Sequence, residues 1–165
     1  MSREACPRRR VLLKRCLGTC AYVAASGFVH ELRADVAPRR FIPLRAPVVI
    51  PLRSIAAPWQ QAAFQARFSR GDGRLAIAPG IAVRLPRRGG VKVFCLYCPH
   101  ELCLIGFNEA KELFCTCHSS TFDPWKDGAL VTGPAARGTY RFEYAVMPTT
   151  LRVTGIEAAI EELLP

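Results

Sequence analysis

Cys98-Pro-His100-Glu-Leu-Cys103 and, a little further on, Cys115-Thr-Cys117-His118-Ser-Ser120 are the stretch on which the reading of this chain turns. Each segment offers a cysteine and a histidine two or three residues apart, close enough for both to reach one small inorganic core from a single turn. The pattern is C-x-H, fourteen residues, then C-x2-H. Two thiolates with two imidazoles suit a [2Fe–2S] centre, and they also suit tetrahedral zinc. A [2Fe–2S] centre with two imidazole ligands carries less negative charge than a four-cysteine one. It accepts an electron more readily, at roughly −150 to +300 mV rather than about −400 mV.

In order and spacing the two segments resemble the cluster-binding loops of Rieske proteins, specifically the disulfide-containing kind found in cytochrome bc complexes. The likeness spans Val48 to Gly155 and is specific from Cys98 to Ala135. It implies that Cys98 and Cys115 hold one iron, that His100 and His118 hold the other, and that Cys103 and Cys117 form a disulfide joining the loops. Gly133-Pro134-Ala135 resembles the loop whose proline covers the cluster. Zinc would not require Cys103 and Cys117 beside the ligands, whereas a pinned pair of cluster loops would, and such a bond needs an oxidising compartment.

The chain has 165 residues, room for one domain of about 120 residues after a non-globular start. A Rieske-type oxygenase would need a second domain with a mononuclear iron site, and the chain has only three histidines, His30, His100 and His118. Of the other cysteines, Cys95 lies in the apolar run Val91-Lys-Val-Phe-Cys-Leu-Tyr97, where a buried thiol behaves as a small hydrophobe. The net charge is +10, with nine basic and three acidic side chains in residues 1–40 and fourteen and ten in residues 41–165. The basicity is mostly terminal. Without aromatic-interleaved basic surface, nucleic acid is not an expected partner.

Pro7-Arg-Arg-Arg-Val-Leu-Leu-Lys14 precedes an uncharged run from Cys16 to Val29 and resembles a twin-arginine signal, an address for export of folded proteins. A cluster inserted in the cytoplasm and a disulfide that persists outside both agree with that route. Residues 1–29 are therefore expected as signal or retained membrane anchor, with the basic end inside and the cluster domain on the periplasmic or outer side of a bacterial or archaeal membrane. Residues 30–47, with three prolines and four arginines after Cys16–Val29, read as a linker.

Residues 48–165 read as short β runs broken by Gly and Pro. The expected runs are Val48–Leu52, Ala63–Phe68, Leu75–Leu85 with an internal Pro79-Gly80 turn, Val91–Leu96, Glu112–Phe114, Arg141–Val146 and Leu151–Val153. Ile156–Leu164 alone looks helical. The fold class is all-β: a Rieske-like antiparallel β-sandwich carrying a small cluster-binding subdomain, preceded by one N-terminal apolar helix.

The resemblance further implies that the exposed nitrogens of His100 and His118 contact quinol, coupling proton to electron transfer. Ser120 stands where high-potential members donate a hydrogen bond to a bridging sulfide. Phe122 stands where they often carry tyrosine, which points to a lower potential and a donor such as menaquinol. Glu101, Leu102 and Ser119 replace residues that are leucine, glycine and usually glycine in the bc relatives. Glu101 favours the charged form of a neighbouring histidine and removes an apolar docking residue. The function expected is that of the iron–sulfur subunit of a quinol–cytochrome c oxidoreductase, partnered by cytochrome b and cytochrome c-type subunits and catalysing only within that complex. The alternatives are the Rieske small subunit of an arsenite-oxidase-like molybdenum enzyme and a free periplasmic carrier.

Overall fold

The computed structural model describes residues 39–165. The expected signal or anchor, the first half of the expected linker, His30, Cys6, Cys16 and Cys20 lie outside them. Among the described residues no helix is long and apolar enough to cross a membrane.

Two antiparallel sheets make up the domain. The larger runs in the order β4 (Val91–Cys95), β3 (Leu75–Arg84), β2 (Gln61–Ser69), β1 (Phe41–Pro51), β10 (Thr150–Glu157) and β9 (Phe142–Val146). The smaller is β5 (Ile105–Phe107), β6 (Leu113–Cys115), β7 (Thr121–Asp123) and β8 (Ala129–Thr132). The larger sheet curls until its two edges approach, with Phe94 bridging Arg141 and the Cys95 N–H donating to the Tyr140 carbonyl. Closure of this kind spares both edges from exposure. One core fills the curl, and all six strands contribute to it, among them Ile50, Phe68, Ala78, Val93, Phe142 and Val153.

The alternation along β3 explains where the second sheet sits. Ala76, Ala78 and Ala82 point into the first core, while Ile81 and Val83 are buried on the opposite face. Phe94 of β4 joins them, and all three pack against Ile105, Leu113 and Phe122 of the small sheet. A strand buried on both sides reads as a continuous apolar run, and Ile81-Ala-Val83 and Val93-Phe-Cys95 do. Each large side chain so buried contributes about 1.5–3 kcal/mol. Trp59, from the connection before β2, lies edge-on to Phe107 of β5 at 6.2 Å and to Trp125, just after β7, at 6.0 Å. This aromatic trio braces the small sheet against the large one.

Several boundaries differ from expectation. Pro79-Gly80 is no turn: both residues pair with β2 in the middle of β3. Gly80 is required there for space, because a Cβ would stand 2.3 Å from the Phe64 ring and 2.9 Å from that of Phe142. Strand β1 begins at Phe41, so residues 41–47, read as the end of the linker, are strand. At the C-terminus β10 continues to Glu157, and only a 3-10 turn, Ala158–Glu162, follows where a helix was expected. Strands β5, β7 and β8 were not anticipated, since three or four residues are too few to show a period.

Candidate metal centre

Three loops meet at the end of the small sheet. The first joins β4 to β5 and is cinched by a bridge between Tyr97 and Leu104, with the Cys98 N–H donating to the Cys103 carbonyl at 2.9 Å. The second joins β6 to β7. There the Cys115 N–H donates to the Ser120 carbonyl at 2.9 Å and the Ser119 N–H to the Cys115 carbonyl at 3.0 Å. This tight turn drives Ser119 to φ +59°, the left-handed region that glycine adopts without cost. The third loop follows β8 and contains Gly133, Pro134 and Ala135.

The first two loops are joined by a disulfide between Cys103 and Cys117, whose Cα atoms are 6.3 Å apart. Cys98 and Cys115 remain free thiols and are fully buried. Burial pushes the Cys98 thiol up from its ordinary value; the adjacent Cys115 thiol adds to that, and the N–H groups of His100 and Glu101 act against it. The rings of His100 and His118 lie 4.4 Å apart and nearly perpendicular. Both Nδ1 atoms are buried without a hydrogen-bond partner. An orphaned buried nitrogen costs about 1–3 kcal/mol, a cost that ligation of a metal removes. On the other side of its ring, His118 Nε2 stands 3.6 Å from an oxygen of the exposed Glu101 carboxylate.

Donor type and placement thus fit a small cluster: two buried thiols, two unpartnered imidazole nitrogens and a disulfide that fixes the loops. Single-metal groupings also occur in the same place, since one donor atom each of Cys103, Cys115, Cys117 and His118 lie within 4.8 Å of one another. Two of those four are spent in the disulfide, which disfavours that set as a zinc site.

The third loop closes over the second. Ser120 is fully buried, and its Oγ accepts a hydrogen bond from the Ala135 N–H at 3.2 Å. Gly133, at φ +106°, sits so close that a Cβ would lie 2.4 Å from the Ser120 Cα. Pro134 itself is exposed beside this contact. Phe122 is fully buried under the loops against Leu113 and Leu130. Cys95 lies apart, in the first core, and burial pushes its thiol up to about 12, as befits an inert packing residue. Sequence reading missed Trp59, Phe107 and Trp125, since nothing in their spacing signals that residues so far apart meet.

Residues 58–148 match the family model described as the Rieske [2Fe–2S] domain. Among curated proteins, none matches the chain in sequence. Among solved structures the chain is similar to the cyanobacterial plasma membrane Rieske protein PetC3 from Synechocystis PCC 6803, at 20% identity and a TM-score of 0.41, over 54% of this chain and 84% of that one.

Proposed function

Because this chain belongs to the Rieske [2Fe–2S] family, we propose that it is the iron–sulfur subunit of a quinol–cytochrome c oxidoreductase of the bc type, working beside cytochrome b and a cytochrome c-type acceptor. Family membership itself gives the chain one [2Fe–2S] cluster and a part in electron transfer. Bound there, the cluster supplies a one-electron acceptor whose potential imidazole ligation raises to roughly −150 to +300 mV.

The protein's own residues divide the remaining work. Cys98 and Cys115 are the thiolate ligands, and His100 and His118 ligate through the Nδ1 atoms that otherwise lack partners. The Cys103–Cys117 disulfide holds the two loops at fixed separation. Ser120, whose Oγ accepts from Ala135, keeps its own O–H to donate toward the cluster. With Nδ1 committed to metal, Nε2 of each imidazole is the atom left to take the quinol's hydrogen bond and then its proton. Pro134 covers the centre from the third loop. Residues 1–29 anchor the chain, the residues from 30 to the start of β1 link it, and the cluster domain faces the periplasmic or outer side.

The pair of orphaned Nδ1 atoms, backed by buried free thiols, is the observation that carries this reading. The Glu101 carboxylate beside His118 Nε2 favours a second: a carrier that serves a molybdenum enzyme or diffuses free, where no apolar quinol pocket must accept this tip. To separate them, the chain would be drawn by a C-terminal tag from membranes solubilised in mild detergent, and its reduced-minus-oxidised spectrum recorded. Co-purifying b- and c-type haem bands support the bc assignment; absence of b haem removes it.

A further inference from the structure

Charge is distributed unevenly over the described domain. Residues 39–88 carry ten arginines and one carboxylate, Asp72, whereas residues 89–165 carry six basic and nine acidic side chains. The excess positive charge therefore belongs to the half of the domain built on β1, β2 and β3, where Arg45, Arg67 and Arg84 lie within the strands and the other seven arginines in the segments that flank and join them.

Two of these arginines are placed where like charges ordinarily repel. Leu44 of β1 pairs with Phe68 of β2, both buried, so one step along each strand Arg45 and Arg67 face outward opposite one another. Like charges directly across a strand pair are destabilising. Among the described residues no carboxylate lies within 4 Å of either guanidinium. Both line a cavity of about 380 Å³ together with Pro47, Val48, Gln65 and Leu75.

The sheet around them is bare. The odd-numbered face of β3 is buried by the small sheet at Ile81 and Val83 but uncovered at its other end, where Leu75 is 53% and Ile77 39% exposed. Ile77 pairs with Arg67. On the far side of β1, Val49 is 57% exposed and pairs with the exposed Arg152. The result is one outward face on which guanidinium groups alternate with apolar side chains. It lies on the strand that continues directly from residues 1–38, which contain the uncharged run Cys16–Val29.

We propose that this outer face of β1, β2 and β3 docks on an anionic lipid surface, with Arg45 and Arg67 sharing lipid phosphates and Leu75, Ile77 and Val49 settling into the headgroup boundary. Lipid is favoured over an acidic protein because the face mixes cations with exposed aliphatic side chains, the pattern of an interfacial surface, and because the chain entering β1 is the one proposed above to be anchored. Docking there adds a lipid-charge-dependent contact to that attachment and restricts how the cluster domain can lie against the membrane.

The test is arginine footprinting with phenylglyoxal on the full-length, cluster-loaded chain in nanodiscs, read by mass spectrometry. Discs of phosphatidylcholine alone are compared with discs that also contain phosphatidylglycerol. Modification of Arg45 and Arg67 is expected to fall several-fold in the anionic discs only and to recover at high salt. Arg87, in the turn at the opposite end of β3, should be unchanged. Equal modification in the two discs overturns the proposal while leaving the anchor intact, because attachment to the neutral discs reports on the anchor alone. Protection by inorganic phosphate without discs would assign the face to a soluble anion. Protection only in native membranes, and not in pure lipid, would assign it to a protein; each of these also overturns the lipid assignment.

Discussion

Ser120 Oγ accepts a hydrogen bond from the Ala135 N–H at 3.2 Å, tying the second cysteine–histidine loop to the loop that carries Pro134. A hydroxyl that accepts from one side still has its proton to give on the other, and that proton is the one available to a cluster sulfide. Removing it leaves the reduced, more negative state without a donor. Ser120→Ala should lower the midpoint potential by about 40–60 mV, the equivalent of one hydrogen bond of about 1–1.5 kcal/mol. Redox titration of the purified protein checks this; an unchanged midpoint would mean that the hydroxyl serves only Ala135.

Ser119→Gly should stabilise the protein. Ser119 sits at φ +59°, where an L side chain is strained and glycine is not. Glycine's larger unfolded-state entropy offsets part of the relief, leaving a gain of about 0.5–1 kcal/mol. Thermal unfolding of cluster-loaded protein measures it, and a fall in midpoint temperature would show the strain to be absent.

That strain was partly legible beforehand: Ser119 stands where relatives usually carry glycine, and the structure gives the reason. The same holds for the loops as a whole, whose cysteine and histidine spacing announces a metal centre because short loops leave a ligand few places to go. Strand pattern exposed β2 and β9, where apolar and polar residues alternate, and β4, which is a nearly continuous apolar run. It failed at Pro79-Gly80, since the demand for glycine comes from Phe64 and Phe142, residues distant in sequence. It failed again for β5, β7 and β8, which are held by the large sheet's outer face and by Trp59, not by any local period.

Cys103→Ser should loosen the first two loops and reduce cluster occupancy. The bond closes a separation of 14 residues, for which about 3 kcal/mol of stabilisation is typical. Iron content and thermal unfolding should fall together. Full iron retention with unchanged unfolding would demote the disulfide to an accessory.

Glu101→Gln removes a negative charge 3.6 Å from His118 Nε2. The carboxylate opposes arrival of an electron, so its removal should raise the midpoint. The pair is solvent-exposed and is worth about 1 kcal/mol or less, which limits the rise to about 40 mV. The difference between the two proteins should shrink as salt is raised. A lower midpoint in the variant would reverse the sign assigned to this contact.

Ligation by two imidazoles is the claim on which the rest depends. Its most direct test is electron–nuclear double resonance on the dithionite-reduced protein grown with nitrogen-15 histidine. Strong couplings from two distinct imidazole nitrogens, in protein carrying two irons and two labile sulfides, are what ligation by His100 and His118 through Nδ1 predicts. A reduced cluster without histidine nitrogen coupling, or a chain that binds zinc and no iron, would contradict it.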